Sequence, residues 1–294
     1  DMIYFEQPKY IEHFRRAERF QQLNLPVADT ALVAKHRKIS FCTTCMDRLC
    51  DLRRTLPQNL VDNESYHELE FVILDYSSRD GLHDWIRKYM SEHMSQGRVR
   101  YCRTDAHEYY RPSHSRNVSF RLASGDIIVN IDADNTVGRG FARRINQCMS
   151  LSNGRLVAVP ENFLLPNAET VMLKGRFAMY RHDLVTLGGY DEDLDDHGGY
   201  SNEDVDLIFR AMMSGFQVVR FEGRHTAGRI ETPILERIRN MKVQGTYSAI
   251  KAINEKLIGQ KLGRRCLASN RERVWGKDVI SENFGPRFTV PSTG

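Results

Sequence analysis

Short apolar runs alternate with amphipathic stretches through the first half of the chain. Ile39-Ser40-Phe41-Cys42-Thr43 and Leu69-Glu70-Phe71-Val72-Ile73-Leu74 read as buried strands, rich in β-branched and aromatic residues. Leu49, Leu52, Leu56 and Leu60 recur at helical spacing between them. Leu82, Trp85, Ile86, Tyr89 and Met90 predict a second helix with all five facing inward, and Arg98–Cys102 an amphipathic third strand. Ser113 or Ser115 is placed to cap a helix running through Val118, Phe120 and Leu122 to Gly125. Ile127-Ile128-Val129-Asn130-Ile131 then forms a fourth strand. The order β-α-β-α-β-α-β predicts an α/β fold with a mostly parallel central sheet and right-handed crossovers.

The second half is less regular. A helix is expected over Phe141–Leu151, and strands over Leu156–Val159, Gly175–Tyr180 and Phe216–Phe221. Gly188–Tyr200 reads as a flexible acidic loop. Asn202–Ser214 reads as a helix with Val205, Leu207, Ile208 and Met212 inside, stopped by Gly215. One long helix is expected over 232–258, then a basic, Pro-containing tail from Gly263 that wraps the surface or is partly disordered. At the other end, Ile11, Phe14, Ala17, Phe20 and Leu23 lie three apart and predict a helix closed by Pro26.

The chemistry concentrates after the fourth strand, at Asp132-Ala133-Asp134. Side chains two apart on a strand share a face, so the carboxylates would converge at its C-terminal end. Two anions held together call for a cation between them, and carboxylate oxygens suit Mg²⁺ or Mn²⁺. Such a metal fills its other positions with water and substrate phosphates, and open α/β sheets bind ligands at this edge. A metal–diphosphate site is one reading; a solvated strand-end turn is the other.

Composition narrows the classes only slightly. The 294 residues are 41% hydrophobic and 27% charged with net charge +4, which argues neither for nucleic acid nor against an ordinary globular domain. No apolar run approaches the ~20 residues of a membrane span, and no signal-peptide pattern stands at the N-terminus. A cytoplasmic location is the expectation, with an upstream targeting segment or anchor left open because no initiator Met is present. The C-x₂-C-x₄-C cluster of Cys42, Cys45 and Cys50 has no fourth ligand at metal spacing, and buried thiols are the plainer reading. Asp191, Asp193 and Asp195 open like a calcium loop, but Asp196 stands where Gly is required and Asn202 where Glu is, so that reading fails.

Four segments in order, over about residues 39–226, resemble the GT-A class of nucleotide-sugar glycosyltransferases. These are Ile39–Arg48, Glu70–Gly81, Ser115-Arg116-Asn117 through Asp134, and Gly188-Gly189-Tyr190-Asp191-Glu192 followed by Asn202-Glu203-Asp204-Val205-Asp206-Leu207 and His225. The chain looks closest to the inverting family-2 enzymes and to the C-terminal module shared by β-1,4-galactosyltransferases and chondroitin-type polymerases. The resemblance implies a GT-A domain over 37–228, with a donor half over 37–136 and an acceptor half over 137–228. Residues 1–36 would be an N-terminal helical extension and 229–294 a C-terminal helix and tail.

It implies a hexosyltransferase that moves a sugar from a nucleotide-diphosphate donor, UDP-linked by preference, to a glycan or other hydroxyl acceptor, with Mn²⁺ or Mg²⁺ as cofactor. By resemblance Thr43, Thr44, Asp47 and Ser77 lie at the nucleoside, Asp75 contacts the uracil or ribose, and Arg116 lies near the donor phosphates or sugar. Asp134 is a direct metal ligand, Asp132 ligates or holds the ribose, and His225 is a third ligand. Asp204 is the general base, Glu203 binds acceptor or donor hydroxyls, and Asp206 belongs to the helix cap. Loop 188–201 would be a lid hinged on its glycines, and His107, Tyr109, Tyr110 and Arg111 would line the acceptor side. Thr43-Thr44-Cys45-Met46-Asp47 departs from the usual Pro-Thr-aromatic-Asn turn, which leaves uridine against guanosine open. A sugar-phosphate nucleotidyltransferase and a non-catalytic nucleotide-sugar or glycan-binding module are the alternatives. The transferred sugar and the oligomeric state are not read from the sequence.

Overall fold

The computed structural model describes residues 35–150, 155–160, 175–196, 202–221, 228–242 and 246–291. Its centre is the run of parallel strands β1 (Ile39–Cys45), β2 (Leu69–Tyr76), β3 (Val99–Thr104) and β4 (Ile127–Asn130). β1 lies between β2 and β4, with Phe41 opposite Phe71 and Val129. β6 (Leu156–Pro160), β7 (Phe177–Tyr180) and β8 (Gln217–Phe221) continue the sheet beyond β4. β10 (Val279–Glu282) and β11 (Arg287–Thr289) extend it beyond β3. Only β7 and β10 run against the other seven strands, so the expected mostly parallel α/β sheet is the one formed.

Alternate residues of the central strands enter two separate cores, as a sheet covered on both faces requires. Ile39, Phe41, Phe71 and Ile73 meet α1 (Leu49–Asp62), α2 (Leu82–Tyr89) and, after the short α3 (Ser91–Ser95), the later helix Phe141–Met149. Cys42, Val72, Leu74 and Ile128 point the other way. They meet α4 (Pro112–Leu122) and the later helices Glu203–Met213 and Tyr247–Gly263. Both cores are therefore sealed beneath the C-terminal edge of β1, β2 and β4, where turns carry the polar residues.

Several expectations change. Tyr89 is exposed, because α2 buries only Leu82 and Ile86 and closes before Met90. The helix expected over 232–258 is two helices, Ile234–Ile238 and Tyr247–Gly263. Between them, Arg239 and Asn240 turn back to bond the carbonyls of Asp47 and Met46. The tail is ordered: Asn283 Oδ1 accepts from Tyr101 N at 2.9 Å, and β10 pairs with β3 through Ser281 and Glu282. No serine caps α4; Pro112 occupies its first turn, and Asp195 from another element accepts from Ser113 N (3.0 Å) and His114 N (2.8 Å). Cys42 and Cys45 are buried on opposite faces of β1, so the cysteine cluster binds nothing jointly. No helix among the described residues is long and apolar enough to cross a membrane. The N-terminal helix expected over 10–23 lies outside the described residues.

Candidate active site

The ends of β1 and β2 are bound into one floor. Asp47 and Ser77 both take left-handed backbone conformations (φ 54° and 62°), which turn the chain sharply after each strand. Asp47 N donates to Ser78 Oγ at 3.1 Å, and Asp47 Oδ1 accepts from Arg79 N at 2.5 Å. Asp75 is wholly enclosed: its carboxylate accepts from Ser78 N (2.8 Å), Tyr101 Oη (2.6 Å) and Arg103 (2.5 Å). Its oxygens are taken from within the protein, so Asp75 shapes this floor through the Ser77–Arg79 turn. Thr43 and Thr44 are buried beside it, and Thr44 Oγ1 shares a 2.5 Å hydrogen bond with Tyr110 Oη.

The polar aromatic segment reaches both sides: Tyr110 lies at the end of β1, while Arg111 pairs with Asp196 at 3.0 Å in the half expected to hold the acceptor. His107 stacks on Tyr76 with ring centroids 4.2 Å apart, and its N–H donates to Ser77 Oγ. Tyr110 N donates to Asn240 O, which brings the 239–241 turn over the end of β1.

β4 closes at Asn130, before either aspartate. A turn from the Asp132 carbonyl to Asn135 N (3.0 Å) presents Asp132 and Asp134 together, in place of strand alternation. The chain then pairs Asn135–Thr136 (β5) with Gly228–Arg229 (β9), and Ile230 N donates to Asp134 O. Burial works to raise the Asp132 carboxyl, but the Arg116 guanidinium at 2.9 Å outweighs it and holds the group below the usual range. Asp134 goes the other way. Burial and the Asp132 charge push it up, against Arg48, whose guanidinium stands 3.5 Å from Oδ2. A buried carboxylate facing a second one, with one oxygen held only at 3.5 Å, is an oxygen donor set that fits a hard divalent cation. His225 lies outside the described residues.

Arg116 stands at this edge, as the resemblance implied, but the other arginines here were not anticipated. Arg48 and Arg116 contact the aspartates, while Arg229 and Arg237 act on Asp134 at longer range. Arg176 is fully buried; burial pushes it down to about 10 against the attraction of Asp132 and Asp134. Its Nη2 donates to Asn135 Oδ1 (2.9 Å), and Asn135 Nδ2 donates to Asp134 Oδ1 (2.6 Å). That relay fixes the Asn135 amide and leaves Asp134 Oδ2 turned toward Arg48. No local sequence signal marks Arg176, because its partners are about 40 residues away.

Arg116 joins the two halves of the site. The same guanidinium that holds Asp132 bonds Glu203 Oε1 at 2.5 Å and lies over the Tyr190 ring. Glu203 and Asp204 open the helix Glu203–Met213, with Glu203 buried and Asp204 half-buried. Asp206 is structural, as the sequence suggested: it pairs with Arg210 at 2.8 Å, and Arg210 also donates to the carbonyls of Leu187 and Gly189. The acidic stretch 188–196, expected to be a flexible lid, is instead anchored. Asn117 holds Tyr190 from both sides of its amide, Lys261 bonds Asp191 and Asp193, and Asn270 donates to the carbonyls of Gly188 and Tyr190. A Cβ on Gly188 would meet Ser269 O at 2.1 Å, so this glycine is a packing position and not a hinge. The remainder of that loop, residues 197–201, lies outside the described residues.

Comparison with known proteins identifies the fold. Residues 40–147 match the family described as glycosyl transferase family 2. No curated protein matches the sequence. Among solved structures, a mannosyltransferase from Pyrobaculum calidifontis in complex with GDP-Man and Mn²⁺ is 17% identical, with 87% of this chain and 79% of that one covered and a TM-score of 0.55. GalNAc-T7 with UDP, GalNAc and Mn²⁺ is 15% identical at a TM-score of 0.56; 77% of this chain matches 48% of that one. Glucosyl-3-phosphoglycerate synthase from Mycobacterium tuberculosis, in complex with Mn²⁺, UDP and phosphoglyceric acid, is 15% identical over 87% and 88% of the two chains, with a TM-score of 0.50. The chain thus has the GT-A fold, and both its family match and its structural neighbours are those of GT-A glycosyltransferases.

Proposed function

We propose that the protein is a divalent-metal-dependent, inverting glycosyltransferase that moves a sugar from a UDP-linked donor to an acceptor hydroxyl. The observation that carries this is the single guanidinium of Arg116 joining Asp132, at the metal–diphosphate position, to Glu203, beside the candidate base. Donor and acceptor chemistry are thereby held on one rigid group. The Mn²⁺ complexes of the neighbours support the metal, and the UDP held by two of the three, against GDP-Man in the other, favours a uridine donor.

In this reading Thr43, Thr44, Asp47 and Ser77 receive the nucleoside, and Asp75 keeps their turn in shape. Asp132 and Asp134, with His225, hold Mn²⁺ or Mg²⁺, which when bound offsets the charge growing on the leaving diphosphate. Arg48, Arg229 and Arg237 add positive potential at the same edge. Asp204 takes the proton of the attacking hydroxyl in a single displacement, which inverts the anomeric centre. Glu203, oriented by Arg116, bonds a hydroxyl of the bound sugars.

The test is a thermal-shift panel of UDP, GDP and CMP with and without Mn²⁺. A ligand at 100 times its dissociation constant adds ~2.7 kcal/mol. UDP with Mn²⁺ is expected to raise the midpoint in the parent and not in Asp134→Asn. Asp204→Asn should keep that shift while losing transfer and donor hydrolysis. A shift with GDP alone would replace the donor, and none with any nucleotide would leave only a glycan-binding module.

A further inference from the structure

Behind the nucleoside floor, a second cluster of ligating groups is assembled from three distant parts of the chain. One ring nitrogen each of His107 and His114 and one carboxylate oxygen of Asp278 lie within 4.8 Å of one another. His107 belongs to the segment after β3, His114 to the first turn of α4, and Asp278 to the residue before β10. We propose that this cluster is a binding site for a zinc-type transition-metal ion, separate from the Asp132–Asp134 edge and independent of the glycosyltransferase reading.

The three ligating atoms lie within 4.8 Å of one another, so a bound ion would draw them in by up to about 1.5 Å. Zn–N bonds of ~2.0–2.1 Å in a tetrahedron set neighbouring ligands ~3.3 Å apart. His107 Nε2 stands 2.9 Å from Asp278 Oδ2, and His114 Nε2 stands 3.1 Å from the Lys277 carbonyl, a further oxygen beside the cluster. The donor set is two imidazoles and a carboxylate, which suits Zn²⁺ better than the harder Mg²⁺.

The support behind these groups is the stronger argument. Metal-binding histidines and carboxylates are usually oriented by outer partners. Here His114 is held at both ring nitrogens, Nδ1 by Tyr76 Oη at 2.8 Å and Nε2 by the Lys277 carbonyl at 3.1 Å, so an ion bound at Nε2 would take that carbonyl as a neighbouring oxygen. The His107 ring lies flat against Tyr76, with a 9° interplanar angle. Asp278 Oδ1 accepts from Val279 N (2.7 Å) and Thr104 Oγ1 (3.2 Å), leaving Oδ2 for the cluster. Each of the three groups is thus held before any ion arrives. Asp278 and His114 are buried, while His107 keeps a partly exposed edge through which an ion can enter. Binding releases a proton only from a histidine that is charged; a neutral one carries its proton on the other ring nitrogen when bound.

The site also has a consequence. The segment bearing His107 carries Tyr110 onto Thr44 and meets Ser77, so a bound ion would lock the tail strands to the nucleoside floor.

The experiment removes the other metal edge first. In the full chain carrying Asp132→Asn and Asp134→Asn, stripped with chelator, calorimetric titration with Zn²⁺ at pH 7.5 should show one equivalent bound. Co²⁺ should give the intense visible bands of a tetrahedral site. His107→Gln, which can still donate to Asp278, should abolish the bands and weaken uptake at least a hundredfold. Asp278→Asn, which keeps its Oδ1 contacts, should do the same, and Thr104→Val should cost about tenfold as an outer partner. Absence of stoichiometric Zn²⁺ uptake, or uptake unchanged in both His107→Gln and Asp278→Asn, would overturn the site and leave a hydrogen-bonded latch. A variant that fails to fold is replaced by the other, since each removes one ligand.

Discussion

Removing the Arg116 guanidinium is the sharpest perturbation of the site that needs no substrate. Arg116→Met keeps an unbranched apolar side chain of similar length and deletes the charge between Asp132 and Glu203, together with the guanidinium over Tyr190. The Glu203 limb is buried, with both side chains 11% exposed. Breaking one partner of a buried pair costs ~3–5 kcal/mol, because a carboxylate is left without compensation. The Asp132 limb is 37% exposed on the acid side, so solvent screening limits its share to at most ~1 kcal/mol. The total is dominated by Glu203, and for a chain of this size it lowers the melting midpoint by roughly 10 °C. The assay is urea unfolding of Arg116→Met, Glu203→Gln and the double variant at pH 7.5. The double should recover part of the loss, with a coupling of at least ~2 kcal/mol. A single variant within ~0.5 kcal/mol of the parent, or strict additivity, would refute the bridge on which the proposed function rests.

Three further outcomes are expected. Gly189→Ala forces a side chain onto a φ of +65° and a Cβ 2.4 Å from Asn117 Oδ1, so stability should fall by ~2 kcal/mol or more in urea unfolding. Lys261→Met removes the cation at 2.5 Å from buried Asp191, and amide exchange at Tyr190–Glu192 should accelerate well before global unfolding. Glu70 gives a pH dependence. Burial would raise its carboxyl, but Ser40 Oγ, Ser124 N and Oγ, and the nearby Arg100 hold it below the ordinary value. Its stabilisation is therefore complete above the unfolded pKa of ~4.3 and is lost as pH falls through the lower folded value. Glu70→Gln should cost ~1–3 kcal/mol at pH 7 and flatten the acid limb of the stability profile; an unchanged acid limb would contradict it.

What the sequence made legible was local. β1 to β4 carry dense β-branched and aromatic runs, and both faces are buried, so the runs are continuous and easy to find. The carboxylates and Arg116 follow at fixed short distances from those strands. β10 and β11 were missed because Val-Ile-Ser-Glu and Arg-Phe-Thr are short and half-polar, and they exist through β10 pairing with β3, some 180 residues earlier, and β11 pairing with β10. The α4 cap was misread for a similar reason: two nearby serines suggested a local cap, whereas Asp195 supplies it from about 80 residues later in the chain.

The same contrast separates the two kinds of residue at the candidate site. Acidic residues there are encoded by position in a motif, whereas their counter-charges arrive from across the fold. Asp191 and Asp193, read in isolation, look like a solvated loop; with Lys261 and Arg273 in place they form an anchored wall. Asp134, read in isolation, is one ligand of a pair; with Arg176, Asn135 and Arg48 in place, one of its oxygens is fixed and the other is left toward the open edge. A carboxylate's chemical role is set by which of its oxygens the protein has already used. Asp75 closes β2 and Asp134 follows β4 and both are buried, yet the first is wholly enclosed, with both oxygens accepting from Tyr101, Arg103 and Ser78, and shapes the floor. The second retains an oxygen that a cation can take. Strand-end position alone would assign the two the same role, and the difference lies in partners that sequence spacing does not encode.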